Sequence, residues 1–93
     1  MIRSFQDSET ERIWAGHRSR RLPADMQDKA LVKLRLLHRA ARIEDLLAPP
    51  GNRLEKLRGE RSGQYSIRIN QQWRICFKWV EGGADEVEIV DYH

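Results

Sequence analysis

Ninety-three residues suffice for one compact domain with one core and are too few for two. Apolar residues make up 40% and charged residues 33%, and the apolar ones recur periodically, which argues against disorder. No apolar run approaches the ~20 residues needed to cross a bilayer, and a soluble, cytoplasmic protein is expected. The single cysteine, Cys76, makes no internal disulfide, and His17, His38 and His93 are too widely separated for a local metal motif.

The net charge of +3 is unevenly placed. Residues 53–80 carry seven basic side chains (Arg53, Lys56, Arg58, Arg61, Arg68, Arg74 and Lys78) against Glu55 and Glu60, whereas residues 81–93 carry five acidic ones and no Lys or Arg. Such a patch attracts phosphate backbones or acidic protein surfaces, or is simply a solvated face.

Along the chain, Ile2 and Phe5 are spaced for a short opening strand, and Asp7 or Ser8 can cap a brief helix through Trp14. His17 to Leu22 form a basic loop, with Pro23 as a first helical residue. From Ala24 to about Arg42, Met26, Ala30, Leu31, Leu34, Leu37 and Ala41 recur at helical spacing, with Lys29, Lys33, Arg35 and Arg39 mostly on other faces. That stripe reads as core packing rather than a partner groove. Ile43 to Leu47 add a further turn, ended by Pro49, Pro50, Gly51 and Asn52.

The period then changes to two. Tyr65, Ile67 and Ile69 alternate with polar residues, as do Trp73, Ile75, Phe77 and Trp79 beyond a turn at Asn70-Gln71-Gln72. Gly82-Gly83 turn the chain again, and Val87 and Ile89 mark a last strand running into Asp91. Three consecutive antiparallel strands with one apolar face must be covered, and the long helix carries the matching stripe, so the fold class is α+β. Trp73, Ile75 and Phe77 then face the helix, leaving Arg68, Arg74, Cys76 and Lys78 together on the other side as a basic surface.

Cleaving RNA without a metal requires a 2′-hydroxyl to attack the adjacent phosphorus, with one proton taken, one given, and the phosphoryl charge neutralised. Arginine suits the last task, and Arg58, Arg68 and Arg74 are candidates. The terminal Asp91-Tyr92-His93 offers a carboxylate, a ring able to stack on a base, and an imidazole suited to proton transfer near neutrality. His38 is a partly exposed packing residue on the long helix, and Cys76 a small buried one.

The stretch Leu57-Arg58-Gly59-Glu60-Arg61-Ser62-Gly63-Gln64-Tyr65-Ser66-Ile67-Arg68-Ile69-Asn70, continued as Gln71-Gln72-Trp73-Arg74-Ile75-Cys76-Phe77 and closed by Asp91-Tyr92-His93, resembles the HigB (host inhibition of growth) branch of the RelE-like toxins. The resemblance is close over about the last 40 residues and looser before them. It implies a single domain over 1–93 with the RelE-like microbial ribonuclease fold, a small antiparallel sheet packed against two N-terminal helices. It also implies a toxin that blocks translation by cutting mRNA in the ribosomal decoding site, without cofactor or metal. The implied partner is a HigA-like helix-turn-helix antitoxin encoded alongside. By the family's pattern Arg58 and Arg74 contact the scissile phosphate and Asp91, Tyr92 and His93 complete the site, while Arg53, Lys56, Arg61, Arg68 and Lys78 of the basic segment are the expected RNA-binding charges. Relatives often carry lysine where Arg58 stands, and some histidine where Glu55 stands. An arginine is a poor proton shuttle, so the proton work falls to His93 with Asp91 or a substrate group. Two other functions fit the same fold: a ParE-like poison of DNA gyrase, and a non-catalytic RNA- or ribosome-binding module.

Overall fold

A computed structural model describes residues 1–92. Helix α1 (Ser8–Trp14) opens on Asp7, whose carboxylate accepts from the Thr10 N–H and hydroxyl and so satisfies donors that the first turn leaves unpaired. Helix α2 (Ala24–Arg39) follows, with Pro23 immediately ahead of the first helical residue. It stops at Arg39, three residues short of the expected Arg42, because the backbone N–H groups of Ala41 and Arg42 are taken by the Asp45 carboxylate. That side chain starts a 3₁₀ turn at Ile43–Leu47 instead of letting α2 continue. These two donors also hold the Asp45 carboxyl below its ordinary range.

The sheet contains four antiparallel strands in chain order: β1 (Glu55–Lys56), β2 (Gln64–Arg68), β3 (Trp73–Val80) and β4 (Gly83–Asp91). The last three are those the alternation predicts, and β1 is an addition. Between β1 and β2, Gly59 sits at φ 68°, a left-handed pose that favours glycine directly after Arg58.

Ile67, Ile75, Phe77 and Val87 are fully buried against Met26, Ala30, Leu34 and Leu37 of α2. Half-buried Tyr65, Trp73 and Trp79 extend this core at its margins. The opening residues bridge β4 in parallel at Ile2 and Phe5 rather than forming a strand of their own. They line its outer edge: Arg3 N–H donates to the Ala84 carbonyl, Ala84 N–H to Met1, Val87 N–H to Ser4 and Gln6 N–H to Val87. The buried Thr10 hydroxyl accepts from Ile89 N–H and continues this seal. Among the described residues no helix is long and apolar enough to cross a membrane.

Candidate functional site: a braced guanidinium on the outer sheet face

Strand register decides which side chains share the outer face. Ser66 stands opposite Cys76, which stands opposite Glu88, while Arg68, Arg74 and Val90 form the next row. Arg68, Arg74, Cys76 and Lys78 therefore do share this face, but they do not form one basic surface. Cys76 is fully buried under the charged groups of Arg61, Glu88, Arg74 and Glu55, and burial pushes its thiol pKa up against the opposing pull of the two arginines. Arg61 donates to Glu88 at 2.7 Å and to Gln64 at 3.1 Å, and the bond to Glu88 raises its pKa further. Lys78 pairs with Glu86 at 2.6 Å, four residues along β3 from Arg74, or about 13 Å at strand rise. Paired charges thus tile most of the face, and at one end Arg53, Arg68 and Arg74 gather beside the single carboxylate of Glu55 among the described residues.

That end is built around Arg74. Its Nε donates to Ser66 Oγ at 2.8 Å and its Nη2 to the Arg53 carbonyl at 2.6 Å. The Glu55 carboxylate lies 3.8 Å from Nη2, and only 12% of the Arg74 side chain is exposed. Its Cζ sits 5.3 Å from the centre of the Tyr92 ring, a cation–π arrangement. Nη1 makes no hydrogen bond among the described residues and is available to a ligand. Arg53 holds its carbonyl in place from a left-handed pose, φ 45° and ψ 55°, a strained conformation for a residue with a Cβ. A basin of about 260 Å³ opens here, lined by Arg53, Arg68, Asn70, Gln71, Arg74 and Tyr92. Among the described residues no carboxylate lines it.

The other candidates are distributed differently. Arg58 is exposed at the head of the 3₁₀ turn Gly59–Arg61 and makes no side-chain bond among the described residues. Lys56 stands opposite Tyr65 in the β1–β2 register and Glu55 opposite Ser66, so alternation turns Lys56 away from Arg74 and Glu55 toward it. Asp91 stands opposite Trp73, on the helix side of the sheet, and accepts from Gln72 Nε2 at 3.1 Å. Tyr92 lies on the Arg74 side, its N–H bonded to the Gln72 carbonyl at 2.8 Å. His93 lies outside the described residues. His38 is a structural acceptor: its Nδ1 receives the Ile2 N–H at 3.1 Å, and its ring lies 5.0 Å from Trp14. Among the described residues no cluster of three or more His, Cys, Asp or Glu is arranged to hold a metal.

The chain matches, over residues 3–93, the family model described as the RelE-like toxin of the type II toxin–antitoxin system HigB. The chain belongs to the HigB-like toxin family. Among relatives of this HigB-like toxin, Toxin HigB-1 of Vibrio cholerae serotype O1 is 39% identical over 85 residues, 90% of each chain. Endoribonuclease HigB of Proteus vulgaris is 30% identical over 97 residues, covering both chains completely. The crystal structure of the YoeB–YefM toxin–antitoxin heterotetramer from Staphylococcus aureus superposes with a TM-score of 0.61 at 19% identity, covering 100% of this chain and 98% of that one. This likeness in fold confirms the expected α+β, RelE-like architecture of the HigB-like toxin.

Proposed function

We propose that this HigB-like toxin is an endoribonuclease that stops translation by cutting mRNA in the decoding site of cytoplasmic ribosomes, and that a HigA-like helix-turn-helix antitoxin neutralises it. The observation that carries the reading is the bracing of Arg74: two acceptors orient its guanidinium, and it lines a basin that no carboxylate lines among the described residues. A preorganised cation beside a phosphate stabilises charge as it develops, without reorganising during the reaction. The family match and the relative named an endoribonuclease support this over the gyrase poison or the passive RNA binder.

In the proposed reaction the 2′-hydroxyl loses its proton as its oxygen bonds to phosphorus. The bond from phosphorus to the 5′-oxygen breaks, and that oxygen takes up a proton, leaving a cyclic phosphate. Arg74 carries the phosphoryl charge, and Tyr92, held beneath it, is placed to stack on a base. Arg58 adds a positive charge from the exposed turn, and Arg53 and Arg68 hold the strand. His93 supplies or removes a proton. Asp91, on the other side of the sheet, acts by ordering the last residues through Gln72, while Glu55 is the carboxylate that the fold brings to Arg74.

The test is cleavage of mRNA on programmed ribosomes, mapped by primer extension, with gyrase supercoiling assayed in parallel. Native protein is expected to cut, and Arg74→Ala to bind ribosomes while cutting about 100-fold or more slowly, the loss typical of removing one oxyanion-stabilising group. Supercoiling inhibition without mRNA cleavage would overturn the reading.

A further inference from the structure

A second basin lies against the first. It encloses about 460 Å³ and is lined by Lys29 and Lys33 of α2 together with Gly51, Ile69 and the same Arg68, Asn70 and Gln71 that wall the Arg74 basin. Among the described residues three cations and no carboxylate line it. Lys33 is unusual for its residue type, being only 8% exposed, since lysine is rarely buried without a charged partner. Its amine donates to Asn52 Oδ1, and fully buried Asn52 is itself fixed by donating to the Leu46 and Ala48 carbonyls. One of the three ammonium donors is thereby used. Burial and the neighbouring Lys29 lower the Lys33 pKa, the response of a cation that lacks an anion. Arg68, tethered through Nε to the Asn70 carbonyl at 3.0 Å, stands in the wall between the two basins.

We propose that this basin is a second phosphate subsite, in which Lys29, Lys33 and Arg68 hold the phosphodiester of single-stranded RNA next to the one at Arg74. The proposal rests on the nuclease reading and deepens it. A flexible strand offers one phosphate per nucleotide, so adjacent cationic basins with a shared wall are filled by successive phosphates. Lys33, anchored from behind by Asn52, forms the floor, exposed Lys29 the outer clamp, and Arg68 serves both basins. The track then runs from the sheet onto α2 across the turn between β2 and β3.

Binding can be read without cleavage by using 2′-O-methyl oligonucleotides, which lack the attacking hydroxyl. Fluorescence anisotropy would compare a dinucleotide with a hexanucleotide between about 50 and about 200 mM salt. Native protein is expected to prefer the hexanucleotide. Lys29→Gln, at an exposed position that leaves the core intact, is expected to reduce that preference about threefold and the salt slope by about 0.7, one phosphate contact on a single strand. Lys33→Gln should act in the same direction, with circular dichroism monitoring the fold. An unchanged preference and slope in Lys29→Gln would overturn the subsite even if native protein cuts mRNA. A reduced preference in Lys29→Gln would uphold it even if ribosomal cleavage were absent and the nuclease reading fell. Lys29→Gln losing affinity for vacant ribosomes while keeping its oligonucleotide preference would assign the basin to ribosomal RNA and overturn the proposal.

Discussion

Ile75 and Cys76 are neighbours in one strand and both are fully buried, yet they are buried by different means. Ile75 lies under the apolar stripe of α2, whereas Cys76 lies beneath a lid of charged side chains that satisfy one another. One face of the sheet is thus closed by shape and transfer from water, the other by hydrogen bonds and ion pairs. Apolar packing has no directional preference, while a paired guanidinium is fixed in angle as well as position. The outer face can therefore present Arg74 in one pose.

Breaking the apolar face is expected to have the largest effect on stability. Phe77→Ala, in the centre of the core, should destabilise by about 3–5 kcal/mol, read by urea denaturation, through loss of buried surface and the cavity left behind. Breaking the charged lid should cost much less. The Arg61–Glu88 pair is about one-third exposed on average, so Arg61→Ala should lower stability by about 1 kcal/mol or less. It should also raise the rate at which Cys76 reacts with a disulfide reagent. In the native protein the raised thiol pKa keeps the reactive thiolate scarce at mildly alkaline pH, and the rate should climb as pH approaches that pKa. An equal or lower rate in Arg61→Ala protein would show that losing the arginine's pull toward the thiolate outweighs any access gained. The smallest effect tests the backbone that braces Arg74. Arg53→Gly removes left-handed strain of about 1–2 kcal/mol but adds about 0.5–1 kcal/mol of unfolded-state freedom, leaving a net gain of about 0.5 kcal/mol. Stability should rise slightly while affinity for RNA falls, since a lining cation is gone.

Much of this arrangement is legible in the residues. Met26, Ala30, Leu34 and Leu37 announce α2, and alternation from Tyr65 to Ile89 announces three strands and their two faces. Strand β1 is only two residues long and shows no period, so the route by which Glu55 reaches Arg74 is invisible without the fold. Lys33 is instructive because it follows Met26 by seven residues and precedes Leu37 by four, within the apolar stripe. Its burial is nonetheless readable only once Asn52, nineteen residues away, is known to face it. Composition located the basic segment correctly, but not that Lys78 and Arg61 are engaged by acids. Those pairings depend on cross-strand register and on a bulge between Cys76 and Lys78 that places Glu86 at φ 53°. Arg58 and Arg74 look alike as letters, yet one is exposed at the head of a turn and the other is held by Ser66, Arg53, Glu55 and Tyr92.

The strip of backbone laid along β4 by the first six residues, continued by Thr10, has a consequence for life at high concentration. An uncovered outermost strand is a template on which another polypeptide can add, whereas here the peptide groups from Ala84 to Ile89 already have partners within the molecule. At the opposite margin the outermost strand is β1, only two residues long. Shortening the chain at its beginning would strip that protection and convert a self-limited fold into one prone to stick to its own copies.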